Sequence, residues 1–487
     1  TIETASADLK AALKALPRGY RAKGPLFQIN ACGTRAVPTT LTVFIPDGAE
    51  PWETLDLLAW DGKVWQWVGG HLDADNGVLV TSVKEVPQNV ILAQTTITSA
   101  LVASDLPASG NVAAEGAPLA TMLFVPGLLP AEDGGINGDP EALPRPPDDV
   151  AAALYPTLRN WTKPGRANAG LVSDMIANTK LRATHVKALT ALVAKSRYAG
   201  VQIDYRGLSK DDRAAFSDLI TQLGDSLHKV NKKLAVVIPA PQPNDDGTWD
   251  TQGYDWHSIG AAADTVQMDL PTDPAAYGTS SAEALVRWAT GETSRYKLYL
   301  GLTSLSVDQA GTDVTYLPLD QALKPFGNVK GPDGTITPGT AVSVTLSGSA
   351  EGVTFDPATK AYRVTYAANN QAHTVVLGSG SSLATQLGWA LRYRLRGVTI
   401  RGLLEAGNDP AVFGAVQEYA AQTPPPDIEA IKVTWTVQGT PAATSPLTRT
   451  ELVWTAPNAP GTFSIAAAIA GISRGQVTLT VVASAAT

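Results

Sequence analysis

From about residue 119 to about residue 421 the chain alternates between short apolar runs of strand length and longer stretches with helical spacing. That alternation constrains the fold more than any other feature. A helical crossover returns each strand in the same direction, so the strands pair in parallel, and the favoured closure of many such units is an eight-stranded barrel with its helices outside. Residues 122–125, 153–158, 200–204, 234–239, 265–270, 297–301 and 397–400 read as strands. Residues 168–194, 210–231, 256–263, 281–289 and 382–393 read as helical. Ser209 and the acidic residues after it suit the start of a helix at Lys210.

The flanks read differently. Residues 1–100 open with a helix-like piece at 5–16 and continue with period-two alternation, as at Leu41, Val43 and Ile45. Asp61-Gly62 lies between apolar runs at 55–60 and 64–68, a strong hairpin signal. Another strand pair is expected at 78–83 and 90–95, giving a small β-sandwich. Four of the 11 tryptophans sit here: Trp52, Trp60, Trp65 and Trp67. Trp65 and Trp67 share a strand face, which is either a sugar platform or part of a core or domain interface. Residues 101–118 are mostly small and read as a linker, and 130–149 as a loop. A β-rich insertion is expected at about 327–377. Pro424-Pro425-Pro426 reads as a stiff spacer, and 427–487 as an immunoglobulin-like β-sandwich. The predicted organisation is multi-domain: a central (β/α)8 TIM-like barrel at 119–423 between an N-terminal β-sandwich and a C-terminal immunoglobulin-like one.

A length of 487 residues calls for more than one core. Lysine plus arginine is 37 against 45 aspartate plus glutamate, a net charge of −8, which argues against a general nucleic-acid binder. The single cysteine, Cys32, cannot form an internal disulfide and reads as a small residue in or near a core. The five histidines are scattered without metal-ligand spacing, so neither a metal nor a cofactor is expected. No run reaches the ~18 apolar residues of a membrane helix. A charged fraction of 17%, below the usual ~25%, with abundant Thr, Ser, Ala, Gly and Pro, suits a bacterial exported protein, and the chain begins at Thr1 rather than Met, as after removal of a signal.

Several segments, in order and spacing, carry a resemblance. They are Leu154-Tyr155-Pro156-Thr157-Leu158-Arg159-Asn160-Trp161, residues 198–206, 234–241, 259–269 and 297–302, and finally 397–410. Across about 119–421 the chain resembles the family-18 glycoside hydrolases, the chitinase-like barrels, and within them the branch with spore-germination hydrolases. The resemblance makes the first segment barrel strand two and residues 198–206 strand four, which bears the family's Asp-x-x-Asp-x-Asp-x-Glu motif. Here those four places hold Ala199, Gln202, Asp204 and Arg206. In the family the glutamate protonates the leaving oxygen while the substrate's acetamido group attacks, and hydrolysis needs that acid. An arginine keeps its proton. The family's Met-x-Tyr-Asp stretch on strand six is matched by Met268-Asp269-Leu270-Pro271, and its strand-eight tryptophan falls at Ile400-Arg401-Gly402. Catalytic acid, acetamido clamp and aromatic floor are thus all altered.

The resemblance therefore implies a barrel without its catalytic residues. Asp204 is either a surviving acid or one held by Arg206. As strand neighbours of equal parity, the two should contact each other at the strand end. Asp204, Arg206, Asp269, Arg401 and Glu405 are the candidate ligand-binding residues of the mouth. A relocated carboxylate pair among Asp204, Asp269 and Glu405 is the catalytic alternative. Arg159, Arg206 and Arg401 either make the mouth basic, suiting an anionic glycan, or are paired. Two functions follow. One is a non-catalytic extracellular or cell-surface protein, either structural (surface layer, sheath or filament) or glycan-binding, with cell-wall or surface glycan, its own copies or other surface proteins as partners. The other is an active hydrolase of N-acetylglucosamine-containing cell-wall glycan.

Overall fold

The computed structural model describes residues 7–30, 38–96, 100–110, 112–148, 150–278, 280–424 and 427–483. Cys32 and Pro425-Pro426 lie outside the described residues.

Eight parallel strands form the barrel: β1 (Leu101–Asp105), β2 (Met122–Pro130), β3 (Ala153–Arg159), β4 (Gly200–Asp204), β5 (Lys233–Ile238), β6 (Thr265–Asp269), β7 (Leu298–Thr303) and β8 (Gly397–Arg401). Each runs parallel to the next, and β1 pairs with both β2 and β8, so the sheet closes. The barrel is thus present, but its first strand falls inside the expected linker. The 101–118 linker is corrected to a barrel strand followed by a loop. Its residues are small, and the strand is fixed only by distant partners: Ala103 opposite Met122, and Leu101 opposite Gly397. The segment at 153–159 is therefore the third strand, not the second. Strands four to eight hold the places expected of them.

Local sequence explains the outer helices. Ser209 and Asp212 cap each other's backbone ahead of the helix Arg213–Lys229. Phe216, Leu219, Ile220, Leu223 and Leu227 then recur at helical spacing and are buried in the main core. Gly200 opens β4 where a side chain would run into the Lys233 carbonyl of β5.

Residues 20–95 carry two antiparallel sheets. One holds Tyr20–Ala22, Asn89–Thr95, Leu55–Trp60 and Trp65–Trp67. The other holds Thr39–Phe44, Val78–Val83 and His71–Asp73. The strands at 78–83 and 89–95 were expected to pair, yet they lie in different sheets. Both carry apolar residues that meet in one cluster with Val43, Leu55 and Leu57, and burial there decided their placement. The Asp61-Gly62 hairpin forms, with the Asp61 carboxylate accepting from the Lys63 and Val64 amides at 2.8 Å.

This region is locked to the barrel. The Asp56 carboxylate, 1% exposed, accepts from Thr95 Oγ1 at 2.9 Å and Trp67 Nε1 at 3.1 Å, and lies 3.3 Å from Arg295 Nε. His71 Nε2 lies 2.9 Å from Glu292 across the same joint.

The insertion begins well before residue 327. Ser306–Ala310, Asp313–Leu317, Ala350–Asp356, Ala361–Ala368 and Gln371–Val376 form one sheet after β7. The rest of the insertion joins the C-terminal region. Ala341–Ser347 pairs with both Asn328–Lys330 and Glu451–Thr455, and Thr335–Ile336 pairs with Ile472–Val481. The C-terminal sheets are thus completed by strands from 328–347 rather than built from 427–487 alone. The physical reason is a common core in which Phe326, Val344 and Val375 meet Trp435 and Ile465.

Candidate functional site

β4 ends at Asp204, and Arg206 follows two residues on, with its side chain turned back to that carboxylate. Arg206 Nε donates to Asp204 Oδ1 at 2.6 Å and Nη2 to Oδ2 at 3.2 Å. The same Nη2 donates to Asp269 Oδ2 at 2.6 Å at the end of β6. The expected contact is therefore bidentate and extends to a second carboxylate. Asn160 fixes the Arg206 backbone, accepting its N–H and donating to its carbonyl, both at 2.8 Å.

Around this pair the strand ends form a chain of polar contacts. At the end of β3, Arg159 Nη2 donates to Asp105 Oδ2 at 3.0 Å, and Arg159 Nε lies 3.5 Å from Asp204 Oδ2. Arg401, ending β8, stands 3.4 Å from the same Asp105 oxygen. One layer down, Thr157 donates to Gln202 at 2.8 Å, Gln202 to Gln267 at 3.3 Å, and Gln267 to Asp269 Oδ1 at 2.7 Å. Gln202 is thus occupied inside the barrel. Ala199 lies at the opposite end of β4, beside the apolar cluster of Phe124 and Tyr155, and takes no part in the mouth.

Trp161, on the short strand after β3, sits beneath the arginines. The guanidinium carbons of Arg159, Arg206 and Arg401 are 4.5, 4.7 and 5.9 Å from its ring centre. Arg401 also stacks 4.8 Å from Tyr316, contributed by the insertion. Each guanidinium is held by carboxylate on one side and aromatic ring on another, the arrangement that a planar, weakly hydrated cation favours.

Burial would lower the Arg206 pKa, but Asp204 and Asp269 outweigh it and raise it. Burial pushes the Asp269 carboxyl up, yet Arg206 and Arg401 hold it below the usual carboxylate range. Glu405, in the turn after β8, is raised by burial and then by the charge of Asp105, against the pull of Arg401. Among the described residues no three His, Cys, Asp or Glu side chains converge as a metal site. Chemically, residue 206 offers a fixed cation and no transferable proton. Asp204 and Asp269 are bridged by that cation rather than by a shared proton.

Sequence reasoning brought Asp204, Arg206, Asp269, Arg401 and Arg159 to one place, and they meet there. It missed Asp105, hidden in the supposed linker, though an acid ending an apolar run was its signal. The role of Trp161 was also missed. Trp65 and Trp67 divide their tasks. Trp65 donates to the Ala12 carbonyl at 2.8 Å and packs on Trp60, while Trp67 bonds Asp56 and lies 5.5 Å from the His257 ring of the barrel.

No protein-family model matches the chain. It is 27% identical over 167 residues to an uncharacterized glycosylase, YvbX, of Bacillus subtilis, a match that covers 32% of this chain and 46% of that protein. It is 32% identical over 105 residues to a putative sporulation-specific glycosylase, YdhD, of the same organism, covering 22% of this chain and 24% of the relative. The chain thus spans less than half the length of the curated relatives that it matches. In three dimensions 66% of it superposes on 99% of a chitinase from Chromobacterium violaceum, with a TM-score of 0.50 and 21% identity. The chain carries the barrel fold of the chitinase-like glycoside hydrolases, with further sheets before and after it.

Proposed function

We propose that the chain is a non-catalytic extracellular or cell-surface protein built on an inactive chitinase-like barrel, serving as a structural or glycan-binding module. One observation carries this reading: the place of the family's general acid holds Arg206, whose guanidinium is tied to Asp204 and Asp269. A mouth whose charges are satisfied internally suits a retained scaffold better than a reacting centre, where a carboxyl must exchange a proton at neutral pH. The β-rich regions before and after the barrel, read as an N-terminal sandwich and a C-terminal immunoglobulin-like one, are proposed to mediate surface or self-association contacts through their edge strands. Among the described residues no helix is long and apolar enough to cross a membrane.

The test is turnover of a fluorogenic N-acetylglucosamine trimer and of purified peptidoglycan. The expected result is none above the blank, for the natural chain and for Arg206→Glu alike, because Gln202 and Arg401 also depart from the family pattern. Turnover by the natural chain that disappears in Glu405→Gln overturns this reading. It would favour the alternative, a hydrolase of N-acetylglucosamine-containing wall glycan with relocated acids, for which the raised Glu405 carboxyl is the one supporting feature.

A further inference from the structure

Outside the mouth, a groove of about 710 Å³ runs between the N-terminal sheets and the barrel helix Trp256–Ala262. Its volume falls in the ~300–1,000 Å³ range of small-molecule sites, and junctions between domains are where such sites concentrate. Trp60 and Trp67 line it from the N-terminal side with Gln88 and Asn89, and His257 and Ser258 line it from the barrel side. Asp61, Gln66 and Asp255, also in its lining, bond within the protein, but other polar side chains there are idle. Among the described residues those of Gln88, Asn89, His257 and Ser258 have no hydrogen-bond partner. Idle polar groups on a groove wall are donors and acceptors available to a ligand.

The groove is also held in shape. Trp67 is fixed by its bond to buried Asp56, which Arg295 of the barrel approaches, so both walls belong to one joint. Trp60 packs on Trp65 with ring centres 5.2 Å apart. A rigid aromatic wall beside side-chain amides, an imidazole and a hydroxyl suits a ligand with apolar C–H faces and many hydroxyls. Among the described lining residues there are three carboxylates and one lysine, a balance that repels anions.

We propose that this interdomain groove binds a neutral oligosaccharide, stacked on Trp60 and hydrogen-bonded by Gln88, Asn89 and His257. The proposal deepens the glycan-binding reading and rests on it, while placing the glycan away from the barrel mouth.

The test is calorimetric titration of the full chain with two neutral probes, cellotetraose and tetra-N-acetylchitotetraose, beside an anionic hyaluronan tetrasaccharide and a proline decamer. At least one neutral probe binds and the anionic one does not. Trp60→Ala and the double variant Gln88→Ala/Asn89→Ala each weaken binding about tenfold or more, the loss expected for one stacking contact or two hydrogen bonds. Gln88 and His257 are exposed, so Gln88→Ala and His257→Ala keep the fold and each weaken binding by a smaller factor. Arg401→Ala at the mouth leaves binding unchanged. Loss of binding in Arg401→Ala with normal binding in the groove variants overturns the groove and leaves the glycan reading standing. Failure of every saccharide to bind overturns both. Binding of the proline decamer alone overturns the choice of ligand.

Discussion

The barrel mouth and the interdomain groove are both lined by polar and aromatic side chains, yet they use them in opposite ways. At the mouth, Arg206 is shared between Asp204 and Asp269, Arg159 reaches Asp105, and three guanidinium groups crowd Trp161. In the groove, the side chains of Gln88, Asn89 and Ser258 make no hydrogen bond among the described residues. Buried charge has to be paired because desolvation is expensive, so a paired mouth has little bonding capacity left over and is costly to break. Idle polar groups at a solvent-lined wall add little to stability and stay free for a partner. A site's residue types therefore say less about function than whether their bonding capacity is already used.

That contrast can be broken by stability measurements. Asp204→Ala should have the largest effect. It leaves Arg206 and Arg159 facing the place of a carboxylate only 1% exposed, and removal of one partner from a buried pair costs about 3–5 kcal/mol. Urea unfolding measures it, and a loss under about 1 kcal/mol would make the mouth network incidental. Asp269→Asn should cost less, about 1–3 kcal/mol, because an amide can still accept a hydrogen bond from Arg206.

Acid should act in the same direction. Asp269 and Asp264 have carboxyl groups depressed in the folded chain; burial opposes this in both, and Arg206 in one and the Leu234 amide in the other outweigh it. The unfolded chain then takes up their protons first, near pH ~4, so their contribution is full above that range and is lost as pH falls below it. Unfolding midpoints should drop from about pH 4 downward, less steeply in Asp269→Asn. Glu405 has the opposite sign. Its folded-state carboxyl is raised, so its ionisation destabilises as pH rises through the ordinary glutamate range, and Glu405→Gln should lift the unfolding midpoint at pH 7 slightly. The smallest effects belong to the groove: Gln88→Ala and Asn89→Ala should change stability by no more than about 0.5 kcal/mol. A large loss there would mean that these side chains serve the fold after all.

Reading the chain locally worked where burial is written into consecutive residues. The runs at 200–204, 233–238, 265–269 and 298–303 are buried on both faces and apolar on at least one, as parallel barrel strands are, and 213–229 carries its buried stripe at helical spacing. Closeness in sequence was enough to place Arg206 beside Asp204, although the strand ends at Asp204 and the arginine reaches back to it from the following loop. By contrast, Leu101–Asp105 runs straight into a stretch of small residues that hides it, and is held as a strand by β2 and β8 on either side. With it went Asp105, the partner of two arginines.

The amino-acid sequence by itself determined the barrel's repeating units and the permanent cation that follows the end of β4, since both are properties of residue type and spacing. Tertiary structure alone decided which strands complete the C-terminal sheets, because the pairing of 341–347 with 451–455 joins segments about a hundred residues apart whose alternation would serve many partners equally. It also decided that Trp67 belongs to a joint, because its bond to Asp56 and its contact with His257 form only when two separately coded regions bury a shared surface.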